Sequence, residues 1–399
     1  MTSTIRTRRF LRTAGVLATV CTAAALAAPT ASAATTSAAS ARHTKTPAYQ
    51  WVSRSTGVNE QFRGLAAVSR KVAWVSGEKG SVLRTTDGGR SWTDVSPAAA
   101  KTDGLALRDI EAWDSRHAEA LSIGNGTDSR IFRTSDGGKT WQAVFTNTDP
   151  GAFYDCMAFD SRGVGLAMSD PVDGYFRMAR TTDGGRSWRV LPTTGMPAAL
   201  GNEFGFAASG TCLVSAQGRH SRPGEFWFAT GGQSPRVFHT TNAGTSWTAE
   251  TTPVRGGDAA GIYSIAFKDS RTGVAVGGDY TAPTDGTDAA AVKSRWAPWK
   301  VSSNALGGYR SGVAYVPGGR DNVIAVGPTG SDVSTDGGRT WSTFDSTDYD
   351  GIHCVDGATI RSSSARHQPV SDNDRDGACW ASGPDGAVAV LATQHRHQH

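Results

Sequence analysis

The sequence predicts an all-β protein, a ring of seven small antiparallel sheets, and three observations predict it. The turn sequence Thr-Thr-Asp-Gly-Gly-Arg-Ser-Trp at 85–92 returns at 134–141, 181–188 and 334–341, with a degraded copy at 240–247. Its acidic position, Asp87, Asp136, Asp183, Asn242 and Asp336, recurs at intervals of 49, 47, 59 and 94 residues, the last being twice 47. A period near 47 residues is that of a four-stranded propeller blade, roughly 40–50 residues. Short apolar or alternating runs precede the turns, at 72–76 and 82–85, 118–123 and 131–134, 163–168 and 177–181, with no long stretch of period 3.6. The fold read from these is a seven-bladed β-propeller.

The blades are expected at 62–96, 107–146, 153–192, 203–253, 261–304, 308–347 and 349–391. The double interval hides a decayed copy at 292–299, which keeps Ser294 and Trp299 but has lost the Asp and the glycines. The seventh blade has neither the turn nor an outer strand. Residues 48–54, Ala-Tyr-Gln-Trp-Val-Ser-Arg, place Trp51 where a post-turn Trp stands. This N-terminal strand is expected to complete the last blade, which closes the ring and removes the sheet edges that invite aggregation. Within each turn the glycines tolerate positive φ, while the Asp carboxylate and the Ser/Thr hydroxyls replace ladder hydrogen bonds that end there. Trp92, Trp141, Trp188, Trp247 and Trp341 then open the outer strands and wedge against neighbouring blades.

The first 33 residues read as a signal peptide: Arg6, Arg8, Arg9 and Arg12, an apolar run at 14–28, and Ala31-Ser32-Ala33 before a mature start at Ala34. Residues 7–11 resemble a twin-arginine signal without its spacer, so both export routes stay open. Residues 34–47 are a Thr/Ser/Ala-rich linker expected to be disordered, 48–392 the propeller, and 393–399 a flexible His-rich tail. The protein is therefore expected to be secreted, monomeric and without a membrane span. A net charge of +4 with no Lys/Arg run in the mature part argues against nucleic acid as a partner. Four cysteines remain after processing, an even number that suggests two disulfides in an exported chain. Cys354 and Cys379 lie on adjacent strands of blade seven, which leaves Cys156 with Cys212.

Propellers bind ligands at the channel, onto which the innermost strands face. Aligning those strands gives one column of Arg63, Arg108, Tyr154, Phe204, Tyr263, Arg310 and Ile352, with Glu203, Asp155 and His353 one residue away. Three converging arginines would make an anion site, because guanidinium forks match carboxylate or phosphate; pairing with acidic neighbours is the alternative. Candidate ligand-binding residues are Arg63, Arg108, Arg310, Tyr154, Tyr263, Glu203 and His353. Should the channel be catalytic, Glu203, Asp155, Asp170 and Tyr263 are the acid, base or nucleophile candidates. Residues 372–377 match the first half of a calcium loop through Asp372, Asp374 and Asp376, but Gly383 stands where its bidentate Glu belongs. No other cofactor is indicated.

The repeated turn is identified as an Asp-box, also called a BNR repeat, similar to those of sialidases, some endoglucanases, sortilin-type receptors and the photosystem II assembly-factor family. That resemblance implies a structural turn at the periphery, away from the channel. Against the Phe/Tyr-Arg-Ile-Pro motif of sialidases the chain has Phe62-Arg63-Gly64-Leu65, and it has seven blades against six. Over 48–391 it resembles most the assembly-factor type, whose blade pattern matches Ala73-Trp74-Val75-Ser76-Gly77 followed by 82–92. The reading is a secreted, non-enzymatic binding or assembly module with an extracellular protein, anionic or carbohydrate partner. The rivals are an extracellular glycoside hydrolase and a redox enzyme; for the latter no Gly-x-Gly-x-x-Gly, haem or flavin signature is present.

Overall fold

The computed structural model describes residues 49–216, 222–295, 297–356 and 377–393. Their strands form seven antiparallel sheets. The innermost strands are Phe62–Ala67, Ala106–Ala112, Tyr154–Phe159, Leu213–Ser215, Gly257–Asp269, Gly312–Tyr315 and Gly351–Val355. In blades one to six the strands follow in chain order from the axis outward; blade five gains an extra inner pair from Gly231–Gly232. Blade seven runs Gly351–Val355, Ala378–Ser382, Val388–Thr393 and then Tyr49–Ser53, with Trp51 opposite Leu391. Almost no helix is present, and among the described residues none is long and apolar enough to cross a membrane. The leader and linker, the calcium-like loop with Asp372, Asp374 and Asp376, and the tail from 394 on lie outside the described residues.

Each Asp-box repeats one set of hydrogen bonds. Thr85 Oγ1 donates to Asp87 Oδ1 (2.9 Å) and accepts from Gly89 N–H (2.9 Å), while Asp87 accepts from Ser91 N–H (3.0 Å) and Ser91 Oγ–H (2.6 Å). Those donors, Ser91 first, hold the Asp87 carboxyl down at about 2. The degraded copy makes the equivalent bonds with an amide: Asn242 Oδ1 accepts from Thr240 Oγ1 (2.9 Å) and Ser246 N–H (2.9 Å). Three of the closing tryptophans donate to the blade before them, Trp141 to Val95 O (2.6 Å), Trp188 to Glu119 Oε2 (3.2 Å) and Trp341 to Ser302 Oγ (3.2 Å). Trp92 reaches the end of the N-terminal strand at Arg54 O (3.3 Å). Trp51, 7% exposed, takes the matching place in blade seven and donates to Ser331 Oγ of blade six (3.0 Å).

The apolar core lies between the blades. The cluster joining blades three and four holds Phe176, Phe226, Phe228, Phe238 and Trp247 around the disulfide of Cys156 and Cys212. A second disulfide, Cys354–Cys379, bridges directly opposed residues of blade seven. Both pairings are those expected. One expected boundary is corrected: the inner strand of blade four is Leu213–Ser215 and not residues 203–206. Cys212, tied to the inner strand of blade three, fixes which segment lies innermost, and Phe204 is left with a single isolated bridge to Gly231.

Candidate functional site

The inner strands of blades one, two, three and five slip register at the same place, between Phe62 and Gly64, Leu107 and Asp109, Tyr154 and Cys156, and Ile262 and Ser264. The bulged residues are Arg63, Arg108, Asp155 and Tyr263; a bulge re-aims the side chain it carries. The sequence column is thus right at Arg63, Arg108 and Tyr263. At blade three it is one residue off: Asp155 occupies the bulge, and Tyr154, 1% exposed, packs in the core against Phe145.

Arg63 and Arg108 meet on one carboxylate. Glu78 Oε1, on the blade-one hairpin, lies 3.3 Å from Arg63 Nε and 2.8 Å from Arg108 Nη2. Arg63 Nη1 also pairs with Asp350 (3.1 Å), whose other oxygen accepts from Gln61 (2.8 Å). Two cations and two carboxylates therefore face each other. Arg310 does not join them. It is fully buried and paired with Asp332 within its own blade at 2.8 Å, so the expected triad is a pair.

The axis itself is filled by the chain. The connection from blade three to blade four, 191–212, folds back into the channel. Ala207 O accepts from Arg108 (3.0 Å) and Ala208 O from Arg63 (3.4 Å). Gly205 N–H donates to Asp170 Oδ1 of blade three (2.6 Å), Phe206 stacks on Tyr263 of blade five (3.7 Å), and Ser209 Oγ donates to Ser311 O of blade six (2.7 Å). Contacts with five other blades place this segment on the axis. It needs small residues: a Cβ on Gly205 would lie 2.8 Å from Asp155 Oδ2.

The catalytic candidates separate. Glu203 is a structural anchor, held by Arg236 Nε (2.9 Å), Thr230 Oγ1 (2.7 Å) and Leu200 N–H (2.8 Å). Tyr263 donates to Ala259 O (2.8 Å), and burial raises its hydroxyl further from ionisation. His353 accepts from Ala67 N–H (3.0 Å), and burial lowers it to about 4, so it is neutral. Asp155 and Asp170 do come together. Burial pushes Asp155 well up, with the Asp170 charge adding to it, and burial takes Asp170 to about 6. Beside them opens a cleft of about 580 Å3 lined by Asn125, Phe153, Asp170, Pro171, Leu200, Gly201, Asn202 and Phe204, among others. No group of acidic, His or Cys side chains among the described residues is arranged to hold a metal. Sequence reasoning missed Glu78, Asp350 and the plugging segment. The signal for the last was present: the interval of 59 residues, against 47, falls on this connection.

Residues 43–218 match the family model described as photosynthesis system II assembly factor YCF48. A structure of YCF48 bound to a D1 peptide aligns at 13% identity over 88% of this chain and 98% of that one, with a TM-score of 0.55. The chain is similar to YCF48-type propellers. YCF48 from Cyanidioschyzon merolae aligns at 16% identity, covering 85% and 98%, with a TM-score of 0.51. The WD40 propeller domain of Doa1 aligns at 11% identity, covering 88% and 98%, with a TM-score of 0.51. At these identities the structures share the fold with this chain, as a YCF48-like seven-bladed ring. No curated protein matches the chain in sequence.

Proposed function

We propose that the protein is an exported, non-enzymatic propeller that holds a segment of another protein against the face bearing Arg63, Glu78, Arg108 and Asp350. The observation that carries this is the filled axis. With residues 204–210 occupying the channel and the arginines already paired, the ring presents a rigid plate of polar groups flanked by a cleft. A YCF48 structure is described as bound to a D1 peptide, and the resembling family is one of assembly factors. Both support a peptide-binding role for a ring of this kind. Where the bound segment is anionic, its carboxylate replaces Glu78 between Arg63 and Arg108, where, alone among the described residues, two guanidinium groups share one carboxylate. Glu78→Gln is then expected to raise affinity for acetate, and Arg108→Ala to remove it.

The test is photo-crosslinking in culture. A benzoylphenylalanine replaces Tyr280, 55% exposed on the channel face, and in a second variant Arg90, exposed on an Asp-box. Discrete protein adducts at position 280 and none at 90 are expected, from protein recovered in the medium with Ala34 at its N-terminus. Adducts at neither position, or equally at both, overturn the binding face; retention in the cells overturns export.

A further inference from the structure

We infer that the cleft between blades two, three and four is a binding site for a cationic side chain, a guanidinium or ammonium group, with Asp170 as its counter-ion. Two ionisable groups line the cleft, Asp170 and Glu203. Glu203 is neutralised by Arg236. Among the described residues Asp170 forms no ion pair; one oxygen accepts from Gly205 N–H at 2.6 Å, and none of those residues donates to the other. With its carboxyl at about 6, Asp170 is ionised at neutral pH. Phe153 and Phe204 line the same space, and aromatic faces attract the cations that a carboxylate selects. Behind Asp170 lies Asp155, whose Oδ2 is buried without a hydrogen bond. An anion meets repulsion here, and a neutral ligand leaves the carboxylate uncompensated.

The wall leaves room for an occupant: Gly201 has nothing within 4 Å of where a Cβ would stand. The cleft adjoins the plug: Phe204 belongs to both, and Asp170 on the cleft wall accepts from Gly205 of the plug. The inference deepens the partner-protein reading: it rests on that reading for the owner of the cation, and on the cleft alone for its charge.

The probe is n-butylguanidinium, with the neutral n-butylurea as its isostere, titrated calorimetrically into the full propeller at pH 7.5. Saturable binding of the cation on the order of millimolar is expected, and none of the urea. Asp170→Asn keeps an acceptor for Gly205 N–H and is expected to weaken the cation by about tenfold or more, about 1.4 kcal/mol. Gly201→Leu fills the cleft without touching the carboxylate and has the same expected effect. Asp173→Asn, on the exposed neighbouring turn where it pairs with Arg177, leaves binding unchanged. Equal binding of the two probes, no binding of the cation by the folded protein, or wild-type affinity in both cleft variants overturns the site. Cation binding without adducts at position 280 keeps the site and removes the partner reading; adducts without cation binding do the reverse.

Discussion

At the rim of the ring, the turn carrying Asp87 and the turn carrying Asn242 make matching hydrogen bonds although one has a carboxylate and the other an amide. At the axis, the same bulge in four blades carries Arg63, Arg108, Asp155 and Tyr263, and no two of the last three do the same thing. The rim tolerates substitution because its geometry is local: five or six residues satisfy one another. Around the axis one connection meets blades one, two, three, five and six, so each position answers to a different neighbour. Repetition builds the scaffold, and the departures from it mark where a partner can be read.

The sharpest way to break this comparison is at Arg310, which the sequence places with the channel arginines and the structure places in the scaffold. Arg310→Ala leaves Asp332 buried without its partner and is expected to cost about 3–5 kcal/mol in urea unfolding. Arg108→Ala, at a partly exposed pair whose carboxylate keeps Arg63, is expected to cost within about 1 kcal/mol. Equal losses would place both arginines in one environment. Next in size is the inter-blade disulfide. Replacing Cys156 and Cys212 together by Ser is expected to cost about 2–4 kcal/mol. Because it closes 56 residues against 25, the loss exceeds that for Cys354 and Cys379 by about 0.7 kcal/mol in the chain-entropy picture. Smaller still, Thr85→Val removes the acceptor of Gly89 N–H and is expected to cost about 1 kcal/mol. Thr240→Val in the degraded copy should match it; a much smaller loss there means the amide turn is only a likeness.

Acidity separates the two regions by sign. Asp87, Asp136 and Asp183 are held at about 2 by their turn hydrogen bonds, below the value near 4 of an unfolded Asp. Their contribution is complete above about pH 4 and is lost as pH falls towards 2. Asp170 on the cleft wall, and Asp348 on the connection from blade six to blade seven near Asp350, are raised to about 6 by burial, Asp348 also by the Asp350 charge. Their contribution is present below about pH 4 and is lost as pH rises through 6. Urea midpoints across this range are expected to fall on both sides, Asp87→Asn flattening the acid limb and Asp170→Asn the other.

The scaffold was legible because its signals are periodic. Five Asp-boxes, Trp51 and the cysteine pairs each follow from a spacing or from the place of a strand. The axis was half legible. Alignment found Arg63, Arg108 and Tyr263, since their bulges share a position, but the same alignment carried Arg310 along although the inner strand of blade six begins only at Gly312. Glu203 was misread because its acidic side chain is visible in the sequence and Arg236, 33 residues on, is not visibly its partner. Glu78 and Asp350 belong to hairpin and connection segments with no repeat to flag them, and pairing across the ring depends on which backbone enters the channel.

The N-terminal strand has a consequence for how the molecule is made. Tyr49–Ser53 finds its partner only in Val388–Thr393, so nearly the whole polypeptide must emerge before the ring can shut. Such a late, long-range clasp is slow to form and leaves the outer edge of the seventh blade unpaired meanwhile. Removing either strand opens the same seam, which gives a protease two routes to one weak point.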